Sequence, residues 1–234
     1  MRAFWVALGF LTTLPVPGAG RVAPGELRSA AAFFPIVGWV IGVLLYGARL
    51  LLPGPEGLAA GLLLALWLFL TGMLHLDGLL DTADAVFAAR SPEARRQILA
   101  DVHLGSFAFG VGFVHLLLKW QAIAATPATA LLLAPVAARF WLLPLMNLFP
   151  AAKKGGLGAS ARSGRWPWGG LFALPLLFFA PLAFLLTGLL GALVAGVIAR
   201  RLGGLAGDAF GALIEVAELT FLLVAAYQAA LYSG

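Results

Sequence analysis

At 234 residues, 62% hydrophobic and only 11% charged, with a mean hydropathy of +1.00, the chain has too little polar surface to clothe a water-soluble globule. Lipid must be part of its solvent. The formal net charge of +5 lies between apolar runs, where it sets topology, so nucleic acid is not an expected partner, and the absence of cysteine excludes disulfides and thiolate metal sites.

The N-terminus opens with Arg2, an apolar run over 3–14 and then Gly18-Ala19-Gly20, the outline of a signal peptide. Thr13-Leu14-Pro15-Val16-Pro17 ends that run, and a short helix lying in or dipping into the membrane is the expected element. Spans of about 20 apolar residues are expected over 30–52, 56–75, 106–125, 129–149 and 209–232. The stretch 168–198 is too long for one span and contains Pro175, Pro181 and Thr187-Gly188, so it divides into two helices, the second short. The expectation is an all-α, polytopic bundle of six or seven transmembrane helices, forming a single membrane domain over 1–234. With seven spans, twelve basic residues, from Arg2 and Arg21 to Arg200 and Arg201, fall on one side and only Arg49 on the other. This positive-inside bias places the long loops in the cytoplasm, together with all five aspartates.

Chemistry concentrates in Leu70-Thr71-Gly72-Met73-Leu74-His75-Leu76-Asp77-Gly78-Leu79-Leu80-Asp81-Thr82-Ala83-Asp84. If the preceding helix runs on, Asp77, Asp81 and Asp84 stand at i, i+4 and i+7, on one face. Clustered carboxylates repel unless a cation neutralises them, and hard oxygen ligands suit Mg²⁺, Mn²⁺ or Ca²⁺. The competing expectation is a solvated helix end whose aspartates pair with Arg90, Arg95 and Arg96. Asp101-Val102-His103 returns a fourth carboxylate and an imidazole to the same face, His103 being either a proton-transfer group or phosphate contact, or merely interfacial. His75 is ambiguous in the same way, and His115, deep in a span, reads as a packing or hydrogen-bonded residue.

Lys119 and Arg139 fall near the middles of adjacent spans, where a cation must face the bundle interior or snorkel. Arg139 is a candidate anion contact, because guanidinium grips phosphate in a bidentate way. Lys153-Lys154-Gly155-Gly156 adds cations and flexible backbone to the same side. Gly203-Gly204, Gly207-Asp208 and Gly211, followed by Glu215 and Glu218, form the last constellation, either with Asp208 and Glu215 facing the site or as small-residue helix packing. Aspartates fit for a metal beside cations fit for phosphate favour metal-assisted phosphoryl transfer. A divalent cation transporter is the second class, disfavoured because no acid falls clearly at mid-membrane.

Leu11-Thr12-Thr13-Leu14-Pro15-Val16-Pro17, Phe33-Phe34-Pro35-Ile36-Val37-Gly38 and, above all, His75-Leu76-Asp77-Gly78-Leu79-Leu80-Asp81-Thr82-Ala83-Asp84 closely resemble cobalamin synthases, and the likeness continues through Arg95-Arg96, Asp101, His103 to Phe107, and Gly203 to Ala212. The resemblance implies an inner-membrane adenosylcobinamide-GDP ribazoletransferase with its active site facing the cytoplasm. α-Ribazole or its 5′-phosphate attacks the phosphate attached to the corrinoid, GMP leaves, and Mg²⁺ is the cofactor. It further implies Asp77, Asp81 and Asp84 as Mg²⁺ ligands, Asp101 as a fourth ligand or base, and His103 and Asp84 among the catalytic groups. Substrate contacts are expected from His75, Arg139, Lys153, Lys154, Asp208 and Glu215. Membrane lipid is an expected partner, as is a second copy or another cobalamin-assembly enzyme. The acidic motif is also similar to that of CDP-alcohol phosphotransferases, whose alanine-arginine pair is missing here. Ala85 and Ala206 depart from the glycine and threonine usual in cobalamin synthases, affecting the turn after Asp84 and a hydroxyl near Asp208.

Overall fold

A computed structural model of the chain describes residues 1–17, 25–99, 101, 103–152, 162 and 166–232. The described residues are helical but for turns, connecting loops and one isolated bridge between Ala151 and Leu205, as the all-α expectation requires. Five helices are long and apolar enough to cross a bilayer, and six if one sharply bent pair counts as a single span. In chain order these are the α2–α3 unit Glu26–Leu51, α7 Ser106–Ala125, α8 Ala128–Leu148, α11 Pro181–Leu202 and α12 Gly207–Tyr232, with α4 Glu56–Leu70 and α5 Leu74–Phe87 the bent pair.

Shorter helices complete the set: α1 Arg2–Leu11, α6 Pro92–Ile98, and α9 Trp166–Gly170 followed by α10 Leu174–Phe179. The division of 168–198 differs from expectation, because the short helical stretch comes first and the long helix α11 second. Pro181 sets the break. It occupies the first turn of α11, where its missing N–H is harmless, and Ala180 before it adopts an extended φ of −148°. Thr187 breaks nothing, since its hydroxyl donates to the Ala183 carbonyl at 2.7 Å within the helix.

The core is built where α3 lies along α8 and where α12 packs against α5, α7, α8 and α11. Trp67, Phe34, Phe221, Leu131 and Leu143 are fully buried there. Leu44, Leu62, Phe69, Phe109, Phe113 and Leu189 stand exposed on the outer faces, as helices solvated by acyl chains require.

The site is positioned by the elbow between α4 and α5, which bends 88°. The 56–75 span therefore ends early, at Leu70. Gly72 and Met73 both take left-handed conformations, at φ 59° and 58°, and the Met73 N–H returns to the Leu68 carbonyl at 2.9 Å in a Schellman-type closure. Left-handed backbone at a non-glycine residue costs about 1–2 kcal/mol, so the elbow needs outside support. The segment after α1 provides it. Thr13 donates its N–H to the Leu70 carbonyl and its hydroxyl to that of Phe69, both at 2.8 Å, adding a second donor to Phe69 beside the Gly72 N–H and tying the end of α4 to the segment after α1.

Candidate active site

Helix α5 presents Asp77, Asp81 and Asp84 one and two turns apart, and Asp208 joins them from the first turn of α12. The two helices touch backbone to backbone. A Cβ on Gly78 would lie 2.5 Å from the Asp208 carbonyl oxygen, so only glycine lets α12 approach this closely. The carboxylates are electrostatically coupled. Burial first, then the charges of Asp77, Asp208 and Asp84, push the Asp81 carboxyl up to about 6.

Basic neighbours do not relieve this repulsion in the manner of a solvated charge run. Arg95 is buried and donates to the carbonyls of Arg90 and Val86. Arg96 donates to the Leu202 carbonyl at 2.8 Å, tying α6 to the end of α11, and pairs with Glu93. Neither guanidinium is spent on an aspartate of α5.

Asp84 has a distinct task. Its two carboxylate oxygens accept the backbone N–H groups of Gly105 and Ala108 at 2.7 and 2.9 Å, so a side chain from α5 caps the N-terminus of α7. That cap also holds the preceding loop. Asp101 Oδ1 accepts from the His103 backbone at 3.1 Å and lies 2.6 Å from the ring Nδ1, and this contact holds the Asp101 carboxyl below the usual range. A carboxylate only accepts, so Nδ1 carries the proton and Nε2 is left as a base. Asp101, His103, Asp77 and Asp81, with Leu80, Leu99 and Leu104, line an open cavity of about 290 Å³.

Asp77 also borders a second, more enclosed cavity of about 130 Å³ lying between α1, α3, α5, α8 and α12. His75, Asp208 and Gly207 contribute there, and the remaining walls are mostly Phe, Leu and Ile side chains. His75 is 2% exposed; its Nδ1 faces Arg139 Nη2 at 3.3 Å and its Nε2 has no partner.

Behind His75 lies a buried ion network that the sequence reading did not assemble. Lys119 Nζ sits 2.7 Å from Glu215 and 2.6 Å from Glu218, and 4.5 Å over the ring of Trp67. His115 contacts Glu215 at 2.7 Å, Arg139 pairs with Glu218, and Trp67 donates to Glu218 at 3.2 Å. Arg139 and Glu215 are thus engaged inside the bundle rather than lining either cavity. Lys119 and Arg139 face the interior, as cations at that depth must, and His115 is a hydrogen-bonded residue. Two cations in α7 and α8 opposite Glu215 and Glu218 on one face of α12 were the available signal: two positive and two negative charges at matching depth.

Lys153 and Lys154 lie outside the described residues. The backbone just before them is anchored, since Ala152 donates to the Leu205 carbonyl at 3.1 Å and Leu205 to that of Pro150 at 2.8 Å. Among the described residues, no group of three or more His, Asp or Glu side chains is gathered as a ready-made metal cage.

The arrangement offers hard oxygen donors, an Asp–His pair and an aromatic-walled recess at one end of a membrane bundle. Comparison with known proteins follows the same line. The profile of the family described as cobalamin-5-phosphate synthase matches residues 3–226. A protein of Deinococcus radiodurans named adenosylcobinamide-GDP ribazoletransferase is 50% identical over 227 residues, covering 94% of this chain and 84% of its own. Proteins of the same name from Pseudomonas aeruginosa and Desulfitobacterium hafniense are 42% and 38% identical, each over at least 95% of both chains. No solved structure matches. With nearly its whole length matched both by the family profile and by these relatives, the chain belongs to the cobalamin-5-phosphate synthase family.

Proposed function

We propose that the chain transfers the corrinoid-bearing phosphate of adenosylcobinamide-GDP to α-ribazole or its 5′-phosphate, releasing GMP. The observation that carries this reading is the uncompensated row of carboxylates beside the Asp101–His103 pair, in a chain whose relatives bear that activity in their names. The basic loops suggest that this face is cytoplasmic and the membrane the inner one.

The donor set fits Mg²⁺ in particular. That ion is usually held by one or two carboxylates with substrate phosphates and water completing its shell, so a preformed cage is not needed. Asp77 and Asp81 would hold it, and when bound it supplies charge neutralisation on the diphosphate. Asp84 is a positioning residue, because both its oxygens already cap α7. His103 Nε2, oriented by Asp101, takes the proton from the attacking ribazole hydroxyl. The new phosphorus–oxygen bond forms as the bond to GMP breaks, and GMP leaves with that electron pair. Lys153 and Lys154 are retained as contacts for the nucleotide phosphates. Asp77 borders both cavities, so the acceptor hydroxyl and the diphosphate meet beside it.

A cation transporter is the poorer fit: the carboxylates within the bundle, Glu215 and Glu218, are already paired with lysine and arginine. The deciding assay follows GMP release from adenosylcobinamide-GDP by the purified protein in lipid, with α-ribazole phosphate, with and without Mg²⁺, for the native chain and Asp81→Asn. GMP and a coupled corrinoid that both require Mg²⁺ and both disappear in the variant are the expected result. A folded native protein that makes neither under any acceptor overturns the reading.

A further inference from the structure

The 130 Å³ recess beside Asp77 has an unusual donor inventory. Phe10, Phe34, Phe210, Leu142 and Ile214 make its walls, and His75 brings the imidazole whose Nε2 lacks a partner. Arg139 can only donate, so the ring atom it meets, Nδ1, must be the acceptor, and Nε2 therefore carries the hydrogen. Glu218 holds Arg139 from behind. Asp77 and Asp208 add two carboxylates, which can only accept, to the same lining. One buried N–H with nothing to bond leaves an unmet cost of about 1–3 kcal/mol, which a ligand acceptor would remove.

We infer that this recess is the seat of the acceptor's aromatic base: the ribazole benzimidazole enters it, its free ring nitrogen accepts the His75 Nε2–H, and its ribose extends past Asp77 to the polar cavity. The inference rests on the transferase reading and locates one substrate within it. Size agrees, since an apolar cavity of about 150 Å³ takes a benzene ring, so the recess holds one ring of the bicycle with the other toward its mouth. Chemistry agrees as well. The benzimidazole offers a single acceptor to a single donor, and its methyl groups meet apolar wall. Guanine, the competing aromatic group in the reaction, could set its N–H groups against Asp77 and Asp208, but it also brings several acceptors to a recess whose side chains offer one donor, His75, among Phe, Leu and Ile. The Arg139–Glu218 pair acts here through His75, as a positioning device for its tautomer.

The test compares equilibrium binding of two labelled ribosides to the full chain in lipid nanodiscs, without Mg²⁺ or corrinoid. One is α-ribazole; the other is its indole counterpart, with C–H in place of the free ring nitrogen. The native protein is expected to prefer α-ribazole by about tenfold. His75→Ala brings the ratio to about one, and His75→Gln, which keeps a donor near the Nε2 position, restores part of it. Equal affinities in the native protein overturn the inference, and that measurement needs no variant to fold. A ratio unchanged in His75→Ala overturns it too. Ile214→Phe, which narrows the recess, should raise the KM for α-ribazole while leaving that for adenosylcobinamide-GDP; the reverse pattern assigns the recess to guanine and ends the proposal. Binding needs no turnover, so a protein that discriminates the ribosides yet releases no GMP contradicts the transferase reading and not the recess.

Discussion

Replacing Lys119 with Met probes the buried ion network most directly. The ammonium is fully buried and serves two carboxylates at 2.7 and 2.6 Å, so its loss leaves Glu215 with only His115 and takes one of the cations from Glu218. Breaking a buried pair from one side costs about 3–5 kcal/mol, because the remaining charge is stranded away from water. At 1.4 kcal/mol per decade, that is a shift of about two to four powers of ten in the unfolding equilibrium. Glu218 keeps Arg139, which puts the expected value toward the lower end of the range. The assay is reversible unfolding in mixed micelles, by titrating sodium dodecyl sulfate against a mild detergent and following helix content. The informative partner is Lys119→Met with Glu215→Gln. If the penalty arises from a stranded carboxylate, neutralising it restores most of the loss, and the double variant is more stable than the sum of the singles allows. A loss under 1 kcal/mol in Lys119→Met, or strict additivity in the double variant, would refute the network's role.

Four further outcomes are expected. Asp84→Ala removes the cap on α7 and should cost about 1–2 kcal/mol in the same titration, with Asp84→Asn retaining part, since an amide oxygen still accepts one N–H. Asp81 has a folded-state pKa raised to about 6 from an ordinary 3.8, so its ionisation destabilises the fold from about pH 4 upward and fully above 6. Without Mg²⁺ at pH 8, Asp81→Asn should therefore melt higher by about 2–4 °C, after discounting the shift to about 1 kcal/mol for a half-exposed group, and the gain should vanish below pH 4. The Mg²⁺ concentration needed for half-maximal rate should rise as pH drops through 6, because protons then compete with the ion for Asp81, and a requirement unchanged from pH 8 to 5 would contradict that assignment. Thr13→Val removes the hydroxyl contact to Phe69; a loss of about 0.5–1.5 kcal/mol in stability is expected, with a fall in kcat as the elbow loosens.

The sequence made the membrane class and most spans legible because apolar length and loop charge are local quantities. It also put Asp77, Asp81 and Asp84 on one helical face, and α5 carries them so. What it missed depended on partners remote in sequence. The end of α4 at Leu70 is set by a left-handed pair that includes Met73, a residue with no intrinsic taste for that conformation, and by Thr13 57 residues earlier. Arg139 read as an anion grip because its carboxylate, Glu218, lies 79 residues away, and Asp84 read as a ligand because the amides it caps belong to another helix. In each case the residue type was informative and its partner was not.

The right-angled elbow also decides how deep each aspartate sits. Asp77 to Asp84 spans seven residues, about 10 Å of helix rise. Had α4 run straight on, those side chains would occupy three successive levels along the bundle, with three different degrees of hydration. Turned through 88°, they form a rank across the direction of α4, all at one level. A charged substrate then meets Asp77 and Asp81 one turn apart along α5, with Asp84 next in line holding α7.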